Sequence, residues 1–204
     1  MVAETAFLDE LRRIGALKEG HYLLSSGRHS GQYVEKFDLL RQPRETESAC
    51  GMLIERLGPL AAVDLVVGPT TGGILLAFEM ARQLGLPAAY AERLTEGSSE
   101  RAFKRGTTIE PGTRVLLVDD ILTTGGSVRE SLAALQPWQV NVVAIAVLVD
   151  RSAGQVDFGV PLVGLTEIGI ETWDPAQCPL CRDGAPIIKP GSTAVQVTGT
   201  TTNQ

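Results

Sequence analysis

Apolar positions at Phe7, Leu8, Leu11, Ile14 and Leu17 recur at helical spacing, predicting an amphipathic helix over Glu4 to Lys18 that Gly15 and Gly20 loosen at its end. From His21 to Leu40 the period breaks. Ser25, Ser26, Gly27, Ser30 and Gly31 alternate with the extended-looking Gln32-Tyr33-Val34 and Phe37-Asp38-Leu39-Leu40, a pattern that predicts a hairpin-like flap outside the main sheet. Pro43 opens a second helix with Ala49, Met52, Leu53 and Leu57 inward, and Gly58-Pro59 ends it.

Beyond this point strands and helices alternate. Val63 to Val67 reads as a buried strand, Gly68 to Gly73 as a turn, Ile74 to Leu84 as an apolar helix stopped by Gly85, and Leu86 to Tyr90 as the next strand. After a polar stretch from Glu92 to Gly112 come strand Arg114 to Val118, helix Ser127 to Gln136 closed by Pro137, and strand Val140 to Val149. Such strand-helix-strand units predict an α/β fold, a mostly parallel sheet flanked by helices on both faces. Gly191 to Gln204, with five threonines and few bulky apolar groups, reads as a frayed tail.

Composition narrows the function. The 204 residues suit one α/β domain with a small appendage, and the formal charge of -6 argues against a basic nucleic-acid-binding surface, leaving small molecules as the expected partners. No segment approaches the run of about 18 apolar residues that would span a bilayer, so no membrane role is expected. The acidic N-terminus does not resemble a secretory signal, and the expected location is cytoplasmic.

The most specific chemistry lies in Val115-Leu116-Leu117-Val118-Asp119-Asp120-Ile121-Leu122-Thr123-Thr124-Gly125-Gly126-Ser127. Two acids follow an apolar strand at the end that faces the ligand crevice of a parallel sheet, where carboxylates can accept hydrogen bonds from sugar hydroxyls. Glycines and the N–H groups at the start of the next helix suit a phosphate monoester, and Thr123, Thr124 and Ser127 add hydroxyl donors. One loop can therefore hold ribose 5-phosphate by both ends. In the competing structural reading the acids cap the loop and the glycines merely turn it; the full run of apolar strand, Asp-Asp and Thr-Thr-Gly-Gly-Ser outweighs that reading.

This segment resembles the phosphoribosyl pyrophosphate (PRPP) motif of type I phosphoribosyltransferases. The resemblance implies a parallel sheet with an N-terminal/C-terminal hood, a PRPP substrate with Mg²⁺, and PRPP contacts from Asp119, Asp120, Ile121, Leu122, Thr123, Thr124, Gly125, Gly126 and Ser127. Asp119 and Asp120 would be the catalytic pair. Val66-Val67-Gly68-Pro69-Thr70-Thr71-Gly72-Gly73-Ile74 is similar to the family's pyrophosphate loop, so Thr70, Thr71, Gly72 and Gly73 would offer backbone amides to pyrophosphate.

Three further segments are similar to the orotate phosphoribosyltransferases: Gly20 to Ser30 with Tyr33, Val147-Leu148-Val149-Asp150-Arg151-Ser152, and Phe158-Gly159-Val160-Pro161 followed by Cys178-Pro179-Leu180-Cys181. By that resemblance Thr123 and Arg151 would contact orotate, a carboxylate that a guanidinium can grip bidentately. The implied organisation is one phosphoribosyltransferase domain over residues 1–190, with hood elements at about 18–40 and 160–190 and a tail over 191–204. A homodimer is also implied, because in that family a mobile loop reaches the partner's site. Purine or other base phosphoribosyltransferases, and PRPP-sensing regulators, share the scaffold.

The chain departs from the family's pattern at Ser25 and Gly72, where many orotate enzymes have lysine. The usual Arg-Lys…Lys…His mobile loop is replaced by Glu92 to Gly106, a polar segment expected to close over the site. In it Arg93 aligns with the loop-base arginine and Arg101, Lys104 and Arg105 are possible replacement cations. Protein ligands for Mg²⁺ are not expected, since that ion keeps much of its hydration and would be held mainly by PRPP. Cys178 and Cys181 have zinc-ligand spacing but make only half a site, and read as a local turn with reduced thiols; His21 and His29 read as hydrogen-bonded loop residues.

Overall fold

The computed structural model describes residues 2–24 and 26–190, so the expected tail over 191–204, and Ser25, lie outside the described residues. The described residues divide into two compact units, 2–17 with 34–169, and 18–24 and 26–33 with 170–190.

The larger unit begins with helix α1 (Val2–Arg13), shorter than the pattern predicts because Gly15 turns the chain at a φ of 71°. The stretch read as extended at Phe37 to Leu40 is instead helix α2 (Lys36–Leu40), capped by the Glu35 carboxylate, which accepts from the Phe37 amide. Five residues are too few to display a helical period. Helix α3 (Pro43–Leu57) follows, then strand β3 (Leu65–Pro69), helix α4 (Gly72–Leu84), strands β4 (Ala88–Arg93) and β5 (Arg101–Ala102), strand β6 (Arg114–Leu122), helix α5 (Gly126–Leu135), and strands β7 (Asn141–Asp150) and β8 (Leu162–Glu167). The smaller unit holds most of β1 (Leu17–Leu23) and β2 (His29–Val34), with β9 (Thr172–Trp173) and helix α6 (Pro179–Arg182).

Six strands form the main sheet in the order β5-β4-β3-β6-β7-β8, parallel from β4 to β8 and antiparallel only at the short edge strand β5. Residues 162–167, assigned above to the hood, are thus the far strand of this sheet, and residues 34–40 also belong to the larger unit. Alternation along the strands divides the core. Leu65, Val67, Val115, Leu117, Ile145 and Val147 pack with Val128 and Leu135 of α5, while the intervening Val66, Leu116 and Val118 turn to the face where α4 lies.

Candidate active site

Strand β6 runs four residues beyond the predicted Val118 and carries both acids within it. The two-residue period therefore sends their side chains to opposite faces of the sheet. Asp119 follows the parity of Leu117 toward α5, where its carboxylate accepts from Ser127 Oγ and, at 2.9 Å, from the Asp120 amide. Asp120 follows Val118 toward α4, and Lys36 Nζ lies 3.1 Å from its Oδ1 and 2.9 Å from its Oδ2. The sequence carries no signal for Lys36, because no local pattern links positions 84 apart.

Burial and the neighbouring Asp120 charge push the Asp119 carboxyl up to about 6. A carboxylate so disfavoured in the resting protein is well placed to interact with a developing positive charge, which would stabilise its ionised form.

The loop after β6 has the form its sequence predicts. Gly125 adopts a φ of 80°, and a Cβ there would stand 2.8 Å from the Phe158 ring, so both conformation and space require glycine. Gly125 gives α5 no side-chain cap, and the first-turn amides remain available to an anion. Thr123 and Thr124 are exposed. Leu122 and Asp150 are register partners on adjacent strands, and the Arg151 amide donates to Leu122 O at 2.8 Å. Thr123 and Arg151 thus leave the same edge of the sheet side by side.

The turn between β3 and α4 is tighter still. A Cβ on Gly68 would stand 2.0 Å from Gly73 O, and one on Gly73 2.6 Å from Pro69 Cδ. One on Gly72 would stand 1.8 Å from Asp120 Oδ2. This contact gives a physical reason for the missing lysine: no side chain fits at position 72 while Asp120 holds its place. The Thr70–Thr71 peptide bond is cis, and Thr71 supplies no side-chain cap to α4. Both glycine turns lie at the carboxyl ends of adjacent parallel strands, the usual ligand edge of such a sheet.

The four candidate loop cations separate by environment. Arg101 is a buried anchor beneath the turn: Nε lies 2.8 Å from Glu130 Oε2, and Nη1 donates to Thr70 Oγ1 at 3.1 Å and to Ala91 O at 3.2 Å. Lys104 Nζ donates to Arg93 O at 2.8 Å, Arg105 pairs with Glu92 at 3.0 Å on the surface, and Arg93 donates to Ser98 O. Residues 94–100 form the tip of a hairpin between β4 and β5, with Glu92 opposite Ala102.

A phosphoribosyl transferase domain model matches residues 53–176, which include both glycine turns. The chain is 44% identical to orotate phosphoribosyltransferase of Caldicellulosiruptor bescii, over 92% of this chain and 96% of that one. It is 47% identical to orotate phosphoribosyltransferase of Carboxydothermus hydrogenoformans, over 87% and 92%. Among solved structures, orotate phosphoribosyltransferase from Aeropyrum pernix superimposes with a TM-score of 0.69 at 32% identity, covering 82% of this chain and 94% of that one. With two phosphate-ready turns on one sheet edge and relatives that match nearly from end to end, the chain belongs to the orotate phosphoribosyltransferase family of type I phosphoribosyltransferases.

Proposed function

We propose that this chain transfers the 5-phosphoribosyl group of PRPP to orotate, giving orotidine 5′-monophosphate and pyrophosphate in pyrimidine synthesis, and that it works with Mg²⁺ as a cytoplasmic homodimer. The observation that carries the reading is the pairing of two uncapped glycine turns at the ends of β3 and β6, with Asp119 and Asp120 on the strand that feeds one of them. The β6 turn suits the 5-phosphate and the β3 turn the pyrophosphate.

Pyrophosphate is already a good leaving group, so positioning and charge account for the chemistry. Asp119 and Asp120 would accept the ribose hydroxyls and set negative charge against the cation that develops as the anomeric carbon inverts. Their carboxylates already accept from Ser127 and pair with Lys36, which favours a divalent ion that arrives on PRPP over one caged by the chain. Mg²⁺ would neutralise pyrophosphate as it leaves. Thr123 and Arg151, leaving neighbouring strands, suit the orotate carboxylate and ring edge.

The homodimer is supported by helix α4, where Leu75 and Phe78 are 41% and 65% exposed, three residues apart on one helical face. A reducing compartment suits the three free cysteines, and among the described residues no helix is long and apolar enough to cross a membrane. Mixing PRPP, Mg²⁺ and orotate should consume orotate absorbance. Turnover of adenine, guanine or uracil in its place would overturn the assignment.

A further inference from the structure

The smaller unit brings together His21 of β1, His29 of β2, and Cys178 and Cys181 flanking the start of α6, and one ligand atom from each lies within 4.8 Å of all the others. His21 Nε2 stands 2.9 Å from His29 Nδ1, 3.4 Å from Cys178 Sγ and 3.7 Å from Cys181 Sγ; Cys181 Sγ stands 3.3 Å from His29 Nδ1. Around a tetrahedral zinc ion, metal–nitrogen and metal–sulfur bonds of ordinary length set such donors roughly 3.3–3.8 Å apart. The three sulfur–nitrogen separations match, and the nitrogen pair needs only to open by a few tenths of an ångström.

The tautomer of His21 makes the case sharper. Its Nδ1 lies 2.9 Å from Ala185 O, and a carbonyl only accepts, so Nδ1 carries the proton and Nε2 presents a lone pair to the cluster. That single lone pair faces three potential donors at once. One lone pair accepts one well-formed hydrogen bond, whereas a central cation is shared by all four ligand atoms. The same contact is the usual outer support of a metal-binding imidazole, the ring nitrogen away from the ligands being fixed by a backbone carbonyl.

The unit also has a structural need for such a site. In its described segments, residues 18–24, 26–33 and 170–190, the buried apolar side chains are Tyr22 and Cys178. Between the segments run the short pairing of β2 with β9, the clamp of Arg28 on Thr172 at 2.9 and 2.7 Å, and the bridge of Tyr22 with Ile188. So small a core is the setting in which proteins add metal or disulfide staples. Two thiolates and two neutral imidazoles balance a dipositive ion, which allows the site to be largely buried.

We propose that His21 Nε2, His29 Nδ1, Cys178 Sγ and Cys181 Sγ bind one Zn²⁺, which staples the β1–β2 hairpin to the C-terminal segment. The donor set, two sulfurs and two nitrogens, selects zinc over the hard Mg²⁺ ion that the transfer reaction would use. The site is independent of the proposed activity and is tested without reading turnover. Elemental analysis of protein purified under reducing conditions should find one zinc per chain, released by an organomercurial. Co²⁺ replacement should give the visible bands of a tetrahedral thiolate site. Cys181→Ser, at the exposed member, should weaken zinc retention at least about tenfold against a chromophoric chelator, while Cys50→Ser should leave it unchanged. Should Cys178→Ser fail to fold, the chelator competition on the unaltered chain still decides. Reduced protein that takes up neither Zn²⁺ nor Co²⁺ would overturn the proposal, as would uptake indifferent to Cys181→Ser and His29→Gln.

Discussion

Lys36 Nζ sits 2.9 Å from Asp120 Oδ2 and joins a helix of five residues to the strand that carries the site. Asp120 is buried, with 5% of its side chain exposed, whereas Lys36 retains 37%. Removing the lysine would strand a buried carboxylate, but solvent at the lysine end softens the loss, so Lys36→Met should cost about 1–2 kcal/mol of stability. Adding Asp120→Asn should recover most of that cost. A double-mutant cycle by chemical denaturation measures the coupling, which should vanish if the pair is incidental. Asp120→Asn alone should remain folded and lose most of its turnover.

The clash that a Cβ at position 72 would make, 1.8 Å from Asp120 Oδ2, leads to a counterintuitive expectation. Gly72→Lys would install a cation in the pyrophosphate turn, yet it should lower activity. Displacing the Asp120 carboxylate by an ångström from its working position should reduce kcat/KM by roughly 100-fold, and Gly72→Ala should do nearly as much. Equal or higher activity in Gly72→Lys would mean that Asp120 moves aside without cost.

The raised Asp119 carboxyl ties stability to pH. Its folded-state value of about 6 stands above the ordinary 3.8, so the native state binds the extra proton between these values. The associated stability is fully present below about pH 4 and is lost as pH rises through about 6, a loss on the order of 3 kcal/mol. Asp119→Asn should abolish this pH-dependent part, so the variant should gain thermal stability over the parent at pH 8 more than at pH 4. Activity moves the other way. Ionised Asp119 is the working form, so kcat/KM should rise through the same window in the parent.

Arg101 and Arg105 test whether charge or anchoring matters in the segment after β4. Arg101→Met would leave Glu130 and the Thr70 backbone without their buried partner and should cost roughly 3 kcal/mol, with a higher KM for PRPP as the turn loosens. Arg105→Ala, on the surface beside Glu92, should leave the melting temperature unchanged. If Arg105→Ala nonetheless lowers kcat with KM intact, Arg105 is the loop cation that reaches the leaving group.

What the sequence revealed and what it hid follow from distance along the chain. The β6 turn was legible because strand, acids, glycines and hydroxyls lie within thirteen consecutive residues, from Val115 to Ser127. Arg101 carries no such signal: only the fold turns it inward beneath Thr70. The Cys178–His21 contact joins positions 157 apart, so neither half-site predicts the other. The helix at Lys36 looks extended in sequence because its determinant is a cap, Glu35, and not a period.

Helix α4 gives the last test, of assembly. Phe78, 65% exposed, and Leu75, 41% exposed, lie one helical turn apart on the element that begins at the β3 turn. A two-fold contact would use this patch on both subunits, and burial of each large apolar side chain is worth roughly 1.5–3 kcal/mol. Phe78→Glu would place a charge on each side of that contact and should convert a dimer to monomers in light-scattering measurements at micromolar concentration, while Phe78→Leu should preserve it. Because the substitution is on an exposed face, the monomer should stay folded. Its activity then separates two cases: loss implies that the partner completes the site, and retention implies that each chain works alone.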